Sequence, residues 1–247
     1  MLWPIGLALL GAILGSFIAT LAIRWPVGRS VVVGRSACDG CGRVLRAREL
    51  VPLVSFIVLG GRCRRCGRPI DRLHPAVEAT AAAIGLTAGL AAPGMEGLAG
   101  AALGWLLLAL GTIDLLAFWL PDRLTAPLAL GGLAARAVDL PPGLADRMIG
   151  GAGGYVSLWL IARTYRRVRG REGLGGGDAK LLGGIGLWLG WRPLPGVLFC
   201  ACLLGVAVVL VRAATGRAVR GGDVMPLGTL LALAAYPAWL LMVGQGG

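Results

Sequence analysis

The chain has 247 residues, 57% of them hydrophobic and only 15% charged, with a net charge of +12. Several of its apolar runs approach the roughly 20 residues needed to cross about 30 Å of hydrocarbon, which excludes an ordinary soluble domain and points to an all-α polytopic membrane protein. The basic excess does not point to nucleic acid, because the arginines flank apolar runs and form no single patch with interleaved aromatics; positive-inside bias and contact with anionic lipid account for them.

The first run, Leu2 to Ile23, has no basic start and no small-residue cleavage site before Arg24, so it reads as a retained span and not as a secretory signal. Seven more follow, at about 75–92, 98–119, 124–140, 148–163, 180–191, 195–211 and 225–243, which makes about eight transmembrane helices. The fourth and sixth are short or glycine-rich, and small residues are what close helix packing in lipid requires. Leu50 to Leu59 is too short to span and belongs to a loop domain. The expected division is a first transmembrane helix (1–23), a loop domain (24–74) and a seven-helix membrane core (75–247). With the N-terminus outside, only Arg136, Arg147 and Arg192 of the 24 Lys and Arg fall on the outer side. Positive-inside bias then puts the basic loops in the cytoplasm and both termini outside.

The loop 24–74 carries Cys38-x-x-Cys41 and Cys63-x-x-Cys66, two pairs separated by 21 residues, close to the spacing of four-thiolate zinc ribbons. Gly40, Gly42 and Gly67 supply the turns. With His74 the only histidine, a Cys₄ structural zinc site is the natural reading, and metal binding would supply folding energy to a loop of about 50 residues. A redox dithiol and a pair of disulfides are the competing readings; a reducing cytoplasm and the absence of a βαβ setting argue against both. Cys200 and Cys202 read as packing residues of the seventh span.

Two acids stand where acids are expensive. Asp114 follows the apolar run Ala101 to Ile113, and Asp178 ends the run Gly175-Gly176-Gly177 before another apolar stretch. Ionisable groups at membrane depth usually mark function, and the orientation puts both near the cytoplasmic face. Two carboxyls sharing a proton can work as an aspartic dyad, one protonated while the other acts as general base toward water. Gly175 and Gly177 would let the backbone bend and a substrate strand approach, in a water-accessible pocket between the third and sixth spans. Asp122, after Pro121, reads as an N-cap of the fourth span or as part of the site. Glu172 and Lys180 flank Asp178 and would tune it or serve only as interface charges. Asp139, Asp146 and Asp223 read as loop residues.

The order of motifs resembles the type IV prepilin peptidase family, bacterial members of the GxGD-type membrane aspartic proteases. The matching stretches are Gly15-Ser16-Phe17 leading to Arg24-Trp25-Pro26, Ser36-x-Cys38-x-x-Cys41-Gly42, Leu50-Val51-Pro52-Leu53-Val54-Ser55-Phe56, Gly61-Arg62-Cys63-Arg64-Arg65-Cys66 and Pro75-x-Val77-Glu78. Ile113-Asp114, Leu120-Pro121-Asp122-x-Leu124-Thr125, Glu172 through Asp178 to Leu182, and Met225-Pro226-Leu227-Gly228 complete the pattern. The resemblance implies a bacterial inner-membrane peptidase that cleaves the short basic leader of type IV prepilins or type II secretion pseudopilins at the cytoplasmic face. For members with the cysteine loop it also implies methylation of the new N-terminus with S-adenosylmethionine. No glycine-rich fingerprint of a soluble methyltransferase is present, so that cofactor rests on the resemblance alone. Glu78, expected in the first turn of the second span, then reads either as a charge favouring the helix dipole or as part of a methyl-transfer site. The chain departs from the family pattern at Ile18-Ala19-Thr20, where Leu-Asn-Val is usual, and at His74, where tyrosine is common. The alternatives are a peptidase without methyltransferase activity, a non-enzymatic scaffold for secretion or pilus assembly components, and a proton-coupled transporter. Against the transporter stand acids near one face and the lack of a clear inverted repeat.

Overall fold

The structure, a computed structural model, describes residues 2–31, 35–171, 173–216 and 224–245. Among them there is no strand, only two isolated bridges, Ala37 with Val44 and Arg62 with Pro69. The chain forms two compact units, Met1–Ala109 and Leu110–Gly247, with the boundary inside one long helix.

The first unit is built on α1 (Leu2–Arg24) and α3 (Leu73–Ala91), with the short α2 (Val54–Val58) in the intervening loop and the first turns of α4 (Gly94–Ala117) beside α3. Glycines four apart make the α1–α3 seam. A Cβ built on Gly11 would lie 2.2 Å from the Ala81 carbonyl oxygen, and one on Gly85 would lie 2.2 Å from the Leu7 oxygen. Any larger side chain would push the backbones apart, and close backbone approach is what drives helix association in lipid. The Trp105 indole N–H of α4 donates to the Ala81 oxygen at 2.9 Å, satisfying its one donor inside the apolar packing.

The loop between α1 and α3 is two copies of one turn, offset by 25 positions. In the first, the Cys38 N–H donates to Arg43 O and the Gly42 N–H to Cys38 O; in the second, Cys63 donates to Arg68 O and Gly67 to Cys63 O, all at 2.8–2.9 Å. Gly42 and Gly67 take φ of 66° and 68°, the left-handed region that favours glycine. The first turn is braced by Glu49, which accepts from the Arg43 guanidinium at 2.6 Å and the Arg46 N–H at 2.8 Å. These two donors hold the Glu49 carboxyl down to about 2, from an ordinary 4.5.

The second unit holds the end of α4, then α5 (Asp122–Ala134), α6 (Leu144–Arg169), α7 (Gly176–Leu189), α8 (Leu194–Ala214) and α9 (Leu227–Gln245). α6 and α7 meet as α1 and α3 do. A Cβ on Gly186 would lie 2.2 Å from the Gly150 oxygen, and one on Gly150 would lie 2.6 Å from the Gly186 oxygen. Arg147 of α6 is almost wholly buried, and its five N–H groups reach the carbonyls of Gly132, Leu140, Pro141, Pro142 and Leu187 at 2.7–2.9 Å. One guanidinium thus satisfies carbonyls near the C-terminal ends of α5 and α7, where a cation also complements the helix dipole.

Each apolar run read from the sequence falls in a helical segment, and among the described residues four helices are long and apolar enough to cross a bilayer by themselves: Leu2–Val27, Gly94–Ala117, Leu194–Ala214 and Leu227–Gly244. This criterion does not confirm the expected count of eight spans. α5 and α7, with 13 and 14 residues, are only about 20 Å long, and α6 ends in Arg166, Arg167 and Arg169. The run expected at 124–140 stops as an α-helix at Ala134 and closes in a 3₁₀ turn, because Asp139 turns left-handed with φ 55°. Cys200 and Cys202 sit on the exposed face of α8, so they do not pack within the chain as expected.

Two predictions follow from this packing. In α6, Gly153 has no atom within 4 Å of a built Cβ, whereas Gly150 abuts α7. Gly153→Ala should be neutral or stabilising by up to about 1 kcal/mol, and Gly150→Ala destabilising by about 1–3 kcal/mol, in detergent unfolding curves. For Glu49 the folded value lies below the unfolded one, so its stabilising effect is full above about pH 5 and fades as the pH falls toward 2. Glu49→Gln should lower the melting temperature at pH 7, and the gap to wild type should close on acidification; a gap unchanged at pH 3 would refute the pairing.

Candidate active site and cysteine cluster

α4 ends three residues after Asp114, and the next residue, Phe118, turns left-handed with φ 51° and donates its N–H to the Asp114 carbonyl. The Asp114 side chain is buried. Its Oδ2 accepts the Thr229 N–H at 2.8 Å and lies 3.2 Å from Thr229 Oγ1, which also reaches the Gly111 carbonyl at 2.8 Å. The start of α9 therefore aims its free amides at this carboxyl, the arrangement in which a helix N-terminus stabilises an anion.

Asp178 reaches its place differently. α7 begins after Gly175, and Asp178 is its third residue, so the side chain folds back to accept the Gly175 N–H at 3.2 Å. It too is buried. The Gly228 N–H interacts with both carboxyls, and the two aspartates lie close enough to feel each other's charge. Glycine is needed around them for space: a Cβ on Gly177 would lie 2.8 Å from Leu120 Cβ, and one on Gly228 would lie 3.0 Å from Asp114 Oδ2. The structure thus joins Asp114, Asp178, Gly175 and Gly177, and adds Gly228 and Thr229.

Asp122 is not an N-cap. Pro121 is the residue whose carbonyl accepts the first helical N–H groups, from Leu124 and Thr125, so Asp122 comes one position too late. It instead pairs with Lys180 at 2.6 Å, both side chains exposed, linking the start of α5 to α7 two residues beyond Asp178. An exposed pair of this kind contributes about 0–1 kcal/mol. Glu172 lies outside the described residues.

In the first unit, the Sγ atoms of Cys38, Cys41, Cys63 and Cys66 all lie within 4.8 Å of one another, and those of Cys38 and Cys66 are 3.7 Å apart. Zn–S bonds of about 2.3 Å in a tetrahedron separate sulfurs by about 3.8 Å, so the cluster has the size and the donors for zinc. The N–H groups of Cys66 and Arg65 favour the Cys63 thiolate, which is held down to about 6.

Glu78 lies beyond the first turn of α3, because that helix begins at Leu73; the expected first-turn dipole role does not apply. Its buried carboxylate accepts the N–H of Leu53 at 2.8 Å. Leu53 has φ 61°, uncommon for a branched residue, and precedes α2, so Glu78 pins a strained turn. Glu78 also lines a cavity of about 630 Å³ bounded by α1, the cysteine turns and the start of α3, with Ser16, Thr20, Arg24, Phe56 and Arg68 among its walls.

Three contacts were not visible in the sequence: Thr229 on Asp114, Glu78 on Leu53, and Arg147 on its carbonyls. The segment Met225-Pro226-Leu227-Gly228 carried the only hint of the first.

Comparison with known proteins agrees along the chain. A family model described as the bacterial peptidase A24 N-terminal domain matches residues 9–91, and one described as the type IV leader peptidase family matches residues 101–210. A prepilin leader peptidase/N-methyltransferase of Burkholderia pseudomallei is 43% identical over 209 residues, 84% of this chain and 67% of the relative. Proteins of the same name from Aeromonas hydrophila and Klebsiella pneumoniae are 38% and 39% identical, covering 85% and 81% of this chain and 73% and 91% of theirs. No solved structure matches. The chain belongs to the type IV leader peptidase family.

Proposed function

We infer that this chain is a membrane aspartic endopeptidase that removes the short basic leader of type IV prepilins or related pseudopilins, and that it then methylates the new N-terminus. The observation that supports the cleavage reading most directly is the pair of buried carboxyls, Asp114 and Asp178, meeting around the Gly228 N–H. The relatives named above carry both activities in their names.

In this reading the ionised carboxyl of the pair takes a proton from water, whose oxygen attacks the scissile carbonyl. The protonated partner hydrogen-bonds to the developing oxyanion and then gives its proton to the leaving amine. The titration belongs to the pair as a unit. Thr229 and Gly175 fix the two side chains, while the Asp122–Lys180 pair holds α5 to α7 beside Asp178. Glu172, six positions before Asp178 in the sequence, would tune it. The loop 24–74, with zinc on its four cysteines, forms a small domain on the cytoplasmic side of the inner membrane, the remaining residues from 75 forming the membrane core. S-adenosylmethionine, when bound, supplies an electrophilic methyl group for the freed amine. Ser16, Thr20, Arg24 and Glu78, which line the cavity of the first unit, would hold it.

Purified wild type should cleave a prepilin with a basic leader, and Asp114→Asn and Asp178→Asn should each lose at least about 10³-fold in rate while remaining folded, given that the pair acts as a unit. Full cleavage by either variant would overturn the dyad. Elemental analysis should find one zinc per chain, lost together with the loop's protease resistance in Cys38→Ser; an undiminished zinc content in that variant would remove the metal assignment.

A further inference from the structure

The loop of the first unit exposes an apolar strip around α2. Leu50, Val51 and Val54 are exposed, and Ile57 and Val58 are 75% and 77% exposed. Val54, Ile57 and Val58 recur at i, i+3 and i+4, so they share one face of the helix. Ser55, Phe56 and Leu59, on the other face, line the cavity. A contiguous apolar patch left outside a folded unit marks a contact surface. The ten residues from Leu50 to Leu59 are too few to span a bilayer, but they suit a segment that lies at its interface.

The level of this strip along α1 is set by Glu78. The Leu53 N–H, at the entry to α2, donates to the Glu78 carboxylate at 2.8 Å. Glu78 in turn packs on α1 at Gly15, where a built Cβ would lie 2.7 Å from Glu78 Cα. Gly15 precedes Arg24, the first charged side chain of the sequence, by nine positions, or about 13 Å of helix. Leu2–Val27 is long and apolar enough to cross a bilayer, so Arg24 marks the edge of the hydrocarbon and Gly15 lies within it. Allowing for the length of the glutamate side chain, α2 begins about 5–10 Å inside that edge, the depth of an interfacial amphipathic helix. The surrounding charge has the matching sign. From Arg24 to Arg72 there are eleven arginines and three acids, Asp39, Glu49 and Asp71. Arg46 and Arg48 before the strip, and Arg62, Arg64 and Arg65 after it, are all exposed. An apolar face flanked by guanidinium groups is complementary to a leaflet of anionic lipid.

We propose that α2 is a membrane anchor: Leu50, Val51, Val54, Ile57 and Val58 insert among the acyl chains of the leaflet at the Arg24 end of α1, and the flanking arginines bind the phosphates of anionic phospholipids. The proposal rests on α1 as a membrane span and is independent of cleavage and methylation. Two other occupants carry the wrong charge. A second copy of this chain would bring its own arginines to the contact, and the leader of the substrate proposed above is basic; like charges at an interface oppose association. Because the outward face of α2 is held by lipid, its inward face, Ser55, Phe56 and Leu59, is held in the cavity wall.

The test uses the full-length protein in bilayer nanodiscs, without substrate. In nanodiscs of equal parts phosphatidylcholine and phosphatidylglycerol, illumination of an Ile57→p-benzoylphenylalanine variant should attach a phospholipid to the peptide that carries α2, read as a mass shift. Cross-linking to a second copy of the chain, or no lipid adduct on that peptide, would overturn the anchor. The charge is tested with trypsin, which cleaves after the loop arginines. Cleavage should be at least about tenfold slower in the mixed nanodiscs than in phosphatidylcholine alone, because the inserted state closes the loop to protease, and high salt should remove the difference. Equal rates in the two lipids would overturn the binding of anionic headgroups. The double variant Ile57→Asp, Val58→Asp should keep the circular dichroism of wild type and lose the protection; undiminished protection would overturn the insertion of this face. If that variant fails to fold, the cross-link at position 57 decides.

Discussion

Helices in lipid gain little by burying apolar side chains against one another, because acyl chains are equally apolar, so their association depends on close backbone contact and shape. In both units that contact is made at glycine. Carbonyl oxygens of α1 and α3, and of α6 and α7, occupy the space where a Cβ would be. The rest of each unit follows from these seams. The first holds the ends of the cysteine loop together and forms the floor of the cavity; the second carries α7, and with it Asp178.

On that scaffold the two aspartates are held by different local devices. Asp178 is fixed from its own helix, by a side chain that folds back on the N–H of Gly175. Asp114 is fixed by another helix, whose first amides arrive at its carboxyl from 115 positions away. Neither device uses a cation. Backbone amides stabilise negative charge without quenching it, and a carboxyl that must gain and lose a proton is better served by such dipoles than by a tight ion pair. The charged pair nearest the site, Asp122 with Lys180, lies at the exposed surface.

How much of this could be read in advance depended on the range of each interaction. The cysteine turns were legible because each is local: two thiols, a glycine and a spacing of three residues specify the turn, and repetition specifies the partner. The geometry of Asp178 was legible for the same reason, since Gly175 and Asp178 stand at cap and third-residue spacing. Thr229 on Asp114 was not, because nothing near either residue announces the other. Glu78 was misjudged by a helix that starts at Leu73, two residues earlier than expected, and Asp122 by the carbonyl of Pro121 opening α5 in its place. The number of spans was not legible in the sequence, because apolar composition marks burial and lipid exposure alike. α5 and α7 are apolar yet too short to cross alone.

The repeated cysteine turn imposes an order on biosynthesis. Each half closes with its own hydrogen bonds, so Cys38 and Cys41 are in position as soon as the ribosome has released the residues up to Arg43. For the next 25 residues the nascent chain carries an open pair of thiols, with α1 already made and nothing yet to pack against it. Cys66 then appears before the first residue of α3. All four sulfurs are therefore available while the loop is still tethered at one end, and the glycine seam that brackets them is added last, around a centre that can already have formed.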